Sequence, residues 1–127
     1  LQLLESNGVY IIDDGYNSNV VGAKAAVEVL RSFSGKKIVV TPGLVELGVL
    51  EESENKALGA ELVGLDRVIL VGETLVGAVK SGYLEAGGEE ERIAVVPSLA
   101  AAQDVIKNEI AKGDAVLFLN DLPEIYL

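Results

Sequence analysis

Cysteine, histidine, tryptophan and methionine are all missing from the 127-residue chain, and each absence removes a chemistry. Without Cys or His, its own side chains offer no disulfide, thiol nucleophile, imidazole base or soft-metal site, so any metal held here is a hard cation on carboxylates. Aromatics are scarce, 5% against 50% hydrophobic residues, which leaves the core to Val, Leu, Ile and Ala. Such a core favours packed layers of strands and helices over an aromatic-rich sandwich. No apolar run approaches the ~20 residues of a membrane span, and no basic segment leads into a hydrophobic stretch as in a signal peptide. With no Met even at position 1, Leu1 is expected to be a cut or processed end, and residues 1–127 are expected to form one domain.

Basic residues are also in deficit: 10 Lys and Arg face 20 Asp and Glu, a formal net charge of −10. Nucleic acid and anionic lipid bind through Lys and Arg patches, so neither is an expected partner. Most of the excess acid is accounted for by solubility.

What is present is a regular alternation. Leu1–Glu5 and Val9–Ile12 flank Asn7-Gly8, a pair that tolerates the positive φ angles of a type I′ hairpin turn. Short apolar runs then predict strands at Lys37–Thr41, Arg67–Gly72, Arg92–Val96 and Asp114–Leu119. Between them, apolar residues recur at three and four positions. The stripes are Ala23, Ala26, Val27, Leu30 and Phe33; Leu58, Leu62 and Leu65; Leu75, Val79 and Tyr83; and Leu99, Ala102, Val105, Ile106 and Ile110. Asn19 and Ser98 fit as N-caps, and Gly35 and Gly113 stand where helices are expected to stop. The pattern predicts an α/β fold: a Rossmann-like, open, mostly parallel sheet with helices on both faces and an N-terminal antiparallel hairpin.

Ligands of such sheets bind at the carboxyl ends of the strands. Three stretches fall there. In Asp13-Asp14-Gly15-Tyr16-Asn17-Ser18-Asn19, read as a loop opening into a helix, Asp14 can accept hydrogen bonds from sugar hydroxyls and Tyr16 can stack or donate, while Asn17 and Asn19 can both donate and accept. Capping and turning the chain explain the same residues about as well. Pro42-Gly43-Leu44-Val45-Glu46-Leu47-Gly48 sets one acid among apolar residues, as either a docking loop or a cover over the sheet edge would. Asn120-Asp121-Leu122-Pro123 follows the last strand, where Pro123 blocks its extension; a plain exit turn accounts for it too. Gly72-Glu73-Thr74 lacks the spacing of a dinucleotide fingerprint, and no Walker-type lysine loop occurs. Two classes remain: a domain contributing part of an active site completed elsewhere, or a phosphoacceptor receiver. A receiver needs a third Asp and a Lys where Gly72 and Asn120 stand, which disfavours it.

Residues 13–19 resemble the Asp-Asp-Ser-Tyr-Asn-Ala-Asn signature that opens the carboxy-terminal domain of the Mur-type ATP-dependent amide ligases, in the branch that adds D-alanyl-D-alanine. Glu46-Leu47-Gly48 resembles the end of a second motif, and the strand and helix order is similar along nearly the whole chain. Gly15 and Ser18 depart from the first motif. Thr41-Pro42-Gly43-Leu44 replaces the usual Gly-Asp-Met, and Asn120–Pro123 replaces a Lys-Gly-Ser segment. The resemblance implies a cytoplasmic domain that closes over ATP and Mg2+, both held mainly by a central ATPase domain of the same parent chain. It further implies a UDP-linked muramoyl peptide and an amino acid or dipeptide, D-alanyl-D-alanine in this branch, as substrates. By position it puts Asp14 near the ATP ribose, Tyr16, Asn17 and Asn19 along the nucleotide cleft, and Glu46, Gly48, Asn120 and Asp121 toward the substrate. It implies no metal ligand and no catalytic residue within this chain.

Overall fold

A computed structural model describes residues 1–120 apart from Tyr16, Ser18 and Glu46. Strands β1 (Gln2–Ser6) and β2 (Val9–Asp14) pair antiparallel with Ser6 opposite Val9. The turn between them holds Asn7 at φ 53 and Gly8 at φ 82, the left-handed pair that a type I′ hairpin needs. There follow α1 (Val20–Arg31), β3 (Lys37–Thr41), α2 (Glu51–Glu61), β4 (Arg67–Val71), α3 (Val76–Glu85), β5 (Ile93–Val96), α4 (Leu99–Glu109) and β6 (Ala115–Leu119). Short 3-10 turns at Gly48–Leu50 and Glu90–Arg92 precede α2 and β5.

The described strands form one sheet in the order β1-β2-β6-β3-β4-β5, parallel throughout except for β1. This order decides where the helices lie. From β2 to β5 the chain advances across the sheet in one direction, so right-handed crossovers put α1, α2 and α3 on the same face. The step from β5 back to β6 reverses direction and sends α4 to the other face. The core divides accordingly. Ile12, Val39, Val68, Leu70 and Leu117 pack against the buried stripes of α1, α2 and α3, while Ile11, Ile38, Val40, Ile69, Val116 and Phe118 pack against Ala102 and Ile106 of α4. Central β6 is buried along its whole length, which is why it reads as an unbroken apolar run rather than an alternating one.

The four apolar stripes lie where their spacing predicts, but Phe33, Leu62, Leu65, Leu75 and Ile110 fall just outside the helices that carry the rest of their stripes. Helix α1 ends at Arg31, so Phe33 lies beyond it and packs its ring against Tyr10 at a centroid distance of 4.9 Å. Neither Gly35 nor Gly113 stops a helix, since α1 ends at Arg31 and α4 at Glu109. A Cβ on Gly35 would lie 2.2 Å from the Gly113 carbonyl oxygen, so its small size lets the approaches to β3 and β6 touch. Among the described residues, no helix is long and apolar enough to cross a membrane.

Candidate functional site at the carboxyl edge of the sheet

Parallel pairing brings the carboxyl ends of β2, β6, β3 and β4 to one edge, with Asp14 level with Leu119 and Thr41 level with Leu70. The first correction concerns Asp13 and Asp14, which are the last two residues of β2 and not part of the following loop. Asp14 is accordingly 9% exposed, a buried carboxylate and not a surface acid.

Buried polar groups must find partners, and here they find each other. The Asn17 side-chain amide donates from Nδ2 to Asp14 Oδ2 at 2.9 Å and to Asn120 Oδ1 at 3.1 Å. Asn120 in turn donates from Nδ2 to the Gly43 carbonyl at 3.1 Å, and its backbone N–H donates to the Asp14 carbonyl at 2.8 Å. Asn120 does this from a left-handed backbone, φ 67, while only 3% exposed. Asparagine tolerates that region better than most side chains, and the conformation turns its amide back over the edge. Gly22, in the first turn of α1, leaves the space Asn17 occupies, since a Cβ there would lie 2.5 Å from Asn17 Oδ1.

The loop after β3 is equally fixed. Thr41 Oγ1 accepts from the Gly43 N–H, and Asn55 of α2 both accepts from Leu44 N–H at 2.7 Å and donates to Leu44 C=O at 2.9 Å. Gly43 itself has φ 98 and would place a Cβ 2.7 Å from Asn55 Oδ1, so only glycine fits. Sequence reading passes over Asn55 and Thr41. Asn55 was detectable, because it stands three residues before Leu58 on the stripe of α2, and a polar residue on a buried stripe requires a polar partner.

Of the predicted site residues, Asp14, Asn17 and Asn120 are brought together. Asn19 is exposed, and its side-chain oxygen is committed to capping α1 through Val21 N–H at 3.0 Å and Gly22 N–H at 3.3 Å. Gly48 is exposed at the start of the 3-10 turn, and among the described residues no hydrogen bond joins it to the Asn17 and Asn120 cluster. Tyr16, Glu46 and Asp121 lie outside the described residues.

Beside this cluster, the edge opens into a cleft of about 360 Å³ between the β3 loop and the β4 exit, lined by Pro42, Val45, Val71, Glu73, Thr74 and Glu51. It continues into a groove of about 460 Å³ between α2 and α3 that adds Glu52, Lys56 and Ser81. The walls are short of cations: Lys56 pairs with Glu85 at 3.6 Å, and Glu51, Glu52 and Glu54 crowd the first turn of α2, where the helix dipole favours them. None of the segments leaving the carboxyl ends of the strands, residues 15–19, 42–50, 72–75, 97–98 and 120–127, contains a Lys or Arg. Chemically, the described part of the edge offers oxygen acceptors to hydroxyl and ammonium groups, and its connecting segments offer no Lys or Arg to a phosphate, while Lys56 in the adjoining groove is paired with Glu85. Among the described residues, no three His, Cys, Asp or Glu cluster closely enough to hold a metal ion.

Residues 1–120 match the family described as Mur ligase, glutamate ligase domain. The UDP-N-acetylmuramoyl-tripeptide--D-alanyl-D-alanine ligase of Bacillus subtilis is 32% identical over 123 residues, which cover 93% of this chain and 26% of that protein. The Escherichia coli ligase of the same name is 37% identical over 116 residues, 89% of this chain and 25% of that protein. Among solved structures, the MurF ligase of Thermotoga maritima in complex with ADP superposes with a TM-score of 0.78 at 26% identity, over 94% of this chain and 26% of that one. MurF from Acinetobacter baumannii does so with a TM-score of 0.76 at 25% identity, over 95% and 26%. The chain thus spans about a quarter of the length of the relatives it matches.

Proposed function

Because this chain belongs to the Mur ligase, glutamate ligase domain family, we propose that it is the cytoplasmic carboxy-terminal domain of an ATP-dependent amide ligase of peptidoglycan precursor synthesis, closing over ATP and positioning D-alanyl-D-alanine. The observation that carries the reading is the character of the carboxyl edge: Asn17 donates to Asp14, and the segments leaving the strand ends contain no Lys or Arg. Such an edge suits the hydroxyls of a ribose and the ammonium of an incoming dipeptide. It does not suit a triphosphate or its magnesium, which belong to a lysine-bearing phosphate loop on a central ATPase domain. The family resemblance implies that ATP activates a carboxylate as an acyl phosphate. This chain's part is to accept hydrogen bonds from the ribose at Asp14, with Tyr16, Asn17 and Asn19 along the same cleft. The segment through Glu46 and Gly48 walls the amine side, along with Asp121. Closure then excludes water and aligns the amine.

The test is Asp14→Asn in the ligase that contains this chain. The variant keeps an oxygen for Asn17 and removes the charge, so folding stability should stay within ~1 kcal/mol. Loss of a charged hydrogen bond costs ~1.5–3 kcal/mol, so the KM for ATP should rise roughly ten- to a hundredfold while that for the dipeptide changes little. An unchanged ATP dependence with a lowered melting point would make the carboxylate purely structural and refute the ribose assignment.

A further inference from the structure

We propose that Asn120 is a positioning residue that couples the loop after β2 to the loop after β3, so that the nucleotide side and the amine side of the edge are set together. The proposal rests on the functional reading above. A residue aimed at substrate would present its amide to the cleft, whereas both polar atoms of the Asn120 side chain are engaged inside the protein: its oxygen accepts from Asn17 and its amide nitrogen donates to the Gly43 carbonyl. It is 3% exposed and holds a left-handed backbone, φ 67, which is sparsely populated for a residue with a side chain and is maintained only when the surroundings impose it.

The bonds on either side extend the connection. Asn17, which Asn120 holds, is also the donor to Asp14, so the position of the Asp14 carboxylate depends on Asn120 through one intermediate side chain. Gly43, which Asn120 also holds, precedes Leu44, whose N–H and C=O are both clamped by Asn55 of α2. Buried hydrogen bonds therefore lead from α2 to Leu44 and, across the Gly43–Leu44 peptide bond, from Gly43 through Asn120 and Asn17 to Asp14. Asn120 is the single residue among these that bonds to both loops. Buried networks of this kind act as units, because releasing one member leaves its neighbours unpaired in a low-dielectric setting.

Asn120→Gly isolates the side chain, since glycine adopts φ 67 freely and the fold should persist, as a thermal melt would check. In the ligase containing this chain, each lost neutral hydrogen bond converts to about three- to tenfold. The KM for ATP and the KM for the dipeptide should both rise by that factor, whereas Asp14→Asn moves the first alone. A change in one KM only, or in neither, overturns the coupling. Amide hydrogen exchange on the 127-residue chain separates this from failure of the functional reading. The Asn17 side-chain amide and the Leu44 backbone amide, the latter bonded to Asn55 and not to Asn120, should both exchange faster in Asn120→Gly. Faster exchange at Asn17 with Leu44 unchanged would show that Asn120 does not hold the second loop, whatever the ligand turns out to be.

Discussion

Tyr83 is the largest fully buried side chain among the described residues, and its hydroxyl donates to the Glu89 carbonyl at 2.9 Å. Burial disfavours the phenolate and pushes the pKa above the ordinary 10.0, outweighing the opposing effects of that hydrogen bond and of nearby Arg92. A raised folded-state pKa means that below pH ~10 both folded and unfolded chains keep the proton and Tyr83 imposes no pH dependence. Above it, the unfolded chain releases the proton while the folded one retains it, so stability falls as pH rises toward the folded pKa. We expect the melting temperature to drop more steeply above pH ~10 in the wild type than in Tyr83→Phe, which lacks the ionisable group; parallel profiles would contradict this. The candidate site was legible at the same scale only in part. Asp14, Asn17 and Asn120 stand out as polar residues at strand ends, and Asn19 as a cap. Which of them face one another was not legible, because the contact of Asn17 with Asn120 joins residues 103 positions apart and depends on β6 inserting beside β2. Nor does sequence show that both polar atoms of the Asn120 side chain bond to other loops of the protein.

Helices α2 and α3 are held by an absence of side chain. A Cβ on Gly82 would lie 1.9 Å from the Lys56 carbonyl oxygen, and one on Gly59 would lie 2.0 Å from that of Val79, so the two backbones touch. Replacing glycine by alanine in a helix ordinarily stabilises by ~0.5–1 kcal/mol, but here the methyl must displace backbone, and overpacking typically costs ~1–3 kcal/mol. Gly82→Ala should therefore be clearly destabilising in chemical denaturation. Gly77→Ala, on the same helix with open space around its Cβ, should be neutral or stabilising. Equal effects would mean that the close approach carries no energetic weight. Periodicity located these helices because their apolar stripes repeat, and it located the strands because short apolar runs alternate with them. It did not locate the close approach, since a glycine at a helix crossing and one on an open face look alike in sequence. The carboxyl end of β2 was misplaced for a related reason: Asp13 and Asp14 carry turn-like side chains, yet their backbones pair with Phe118 and Leu119 in the parallel ladder.

Across the whole molecule, charge is sorted by edge. At the amino edge, Arg67 pairs with Glu109, Arg92 with Glu89 and the Leu65 carbonyl, Arg31 with the carbonyls of Glu61 and Val63, and Lys36 with the Glu109 carbonyl. The opposite edge, where the strands end, has Asp14, Glu51, Glu52 and Glu73 and no basic residue in its connecting segments. Phosphoryl transfer is catalysed largely by placing positive charge and magnesium around the transferring group, and a chain of net charge −10 repels the anionic triphosphate. On the proposed function, a domain built this way would supply shape and acceptors to one side of a nucleotide whose phosphates are neutralised from the other. The 127-residue chain alone should therefore release no phosphate from ATP above the uncatalysed rate, with or without magnesium, the muramoyl peptide and the dipeptide. The measurement is a phosphate-release assay on the chain beside the full-length ligase. Turnover by the chain alone would mean that a phosphate site exists without a lysine loop, and the division of labour between the two domains would have to be abandoned.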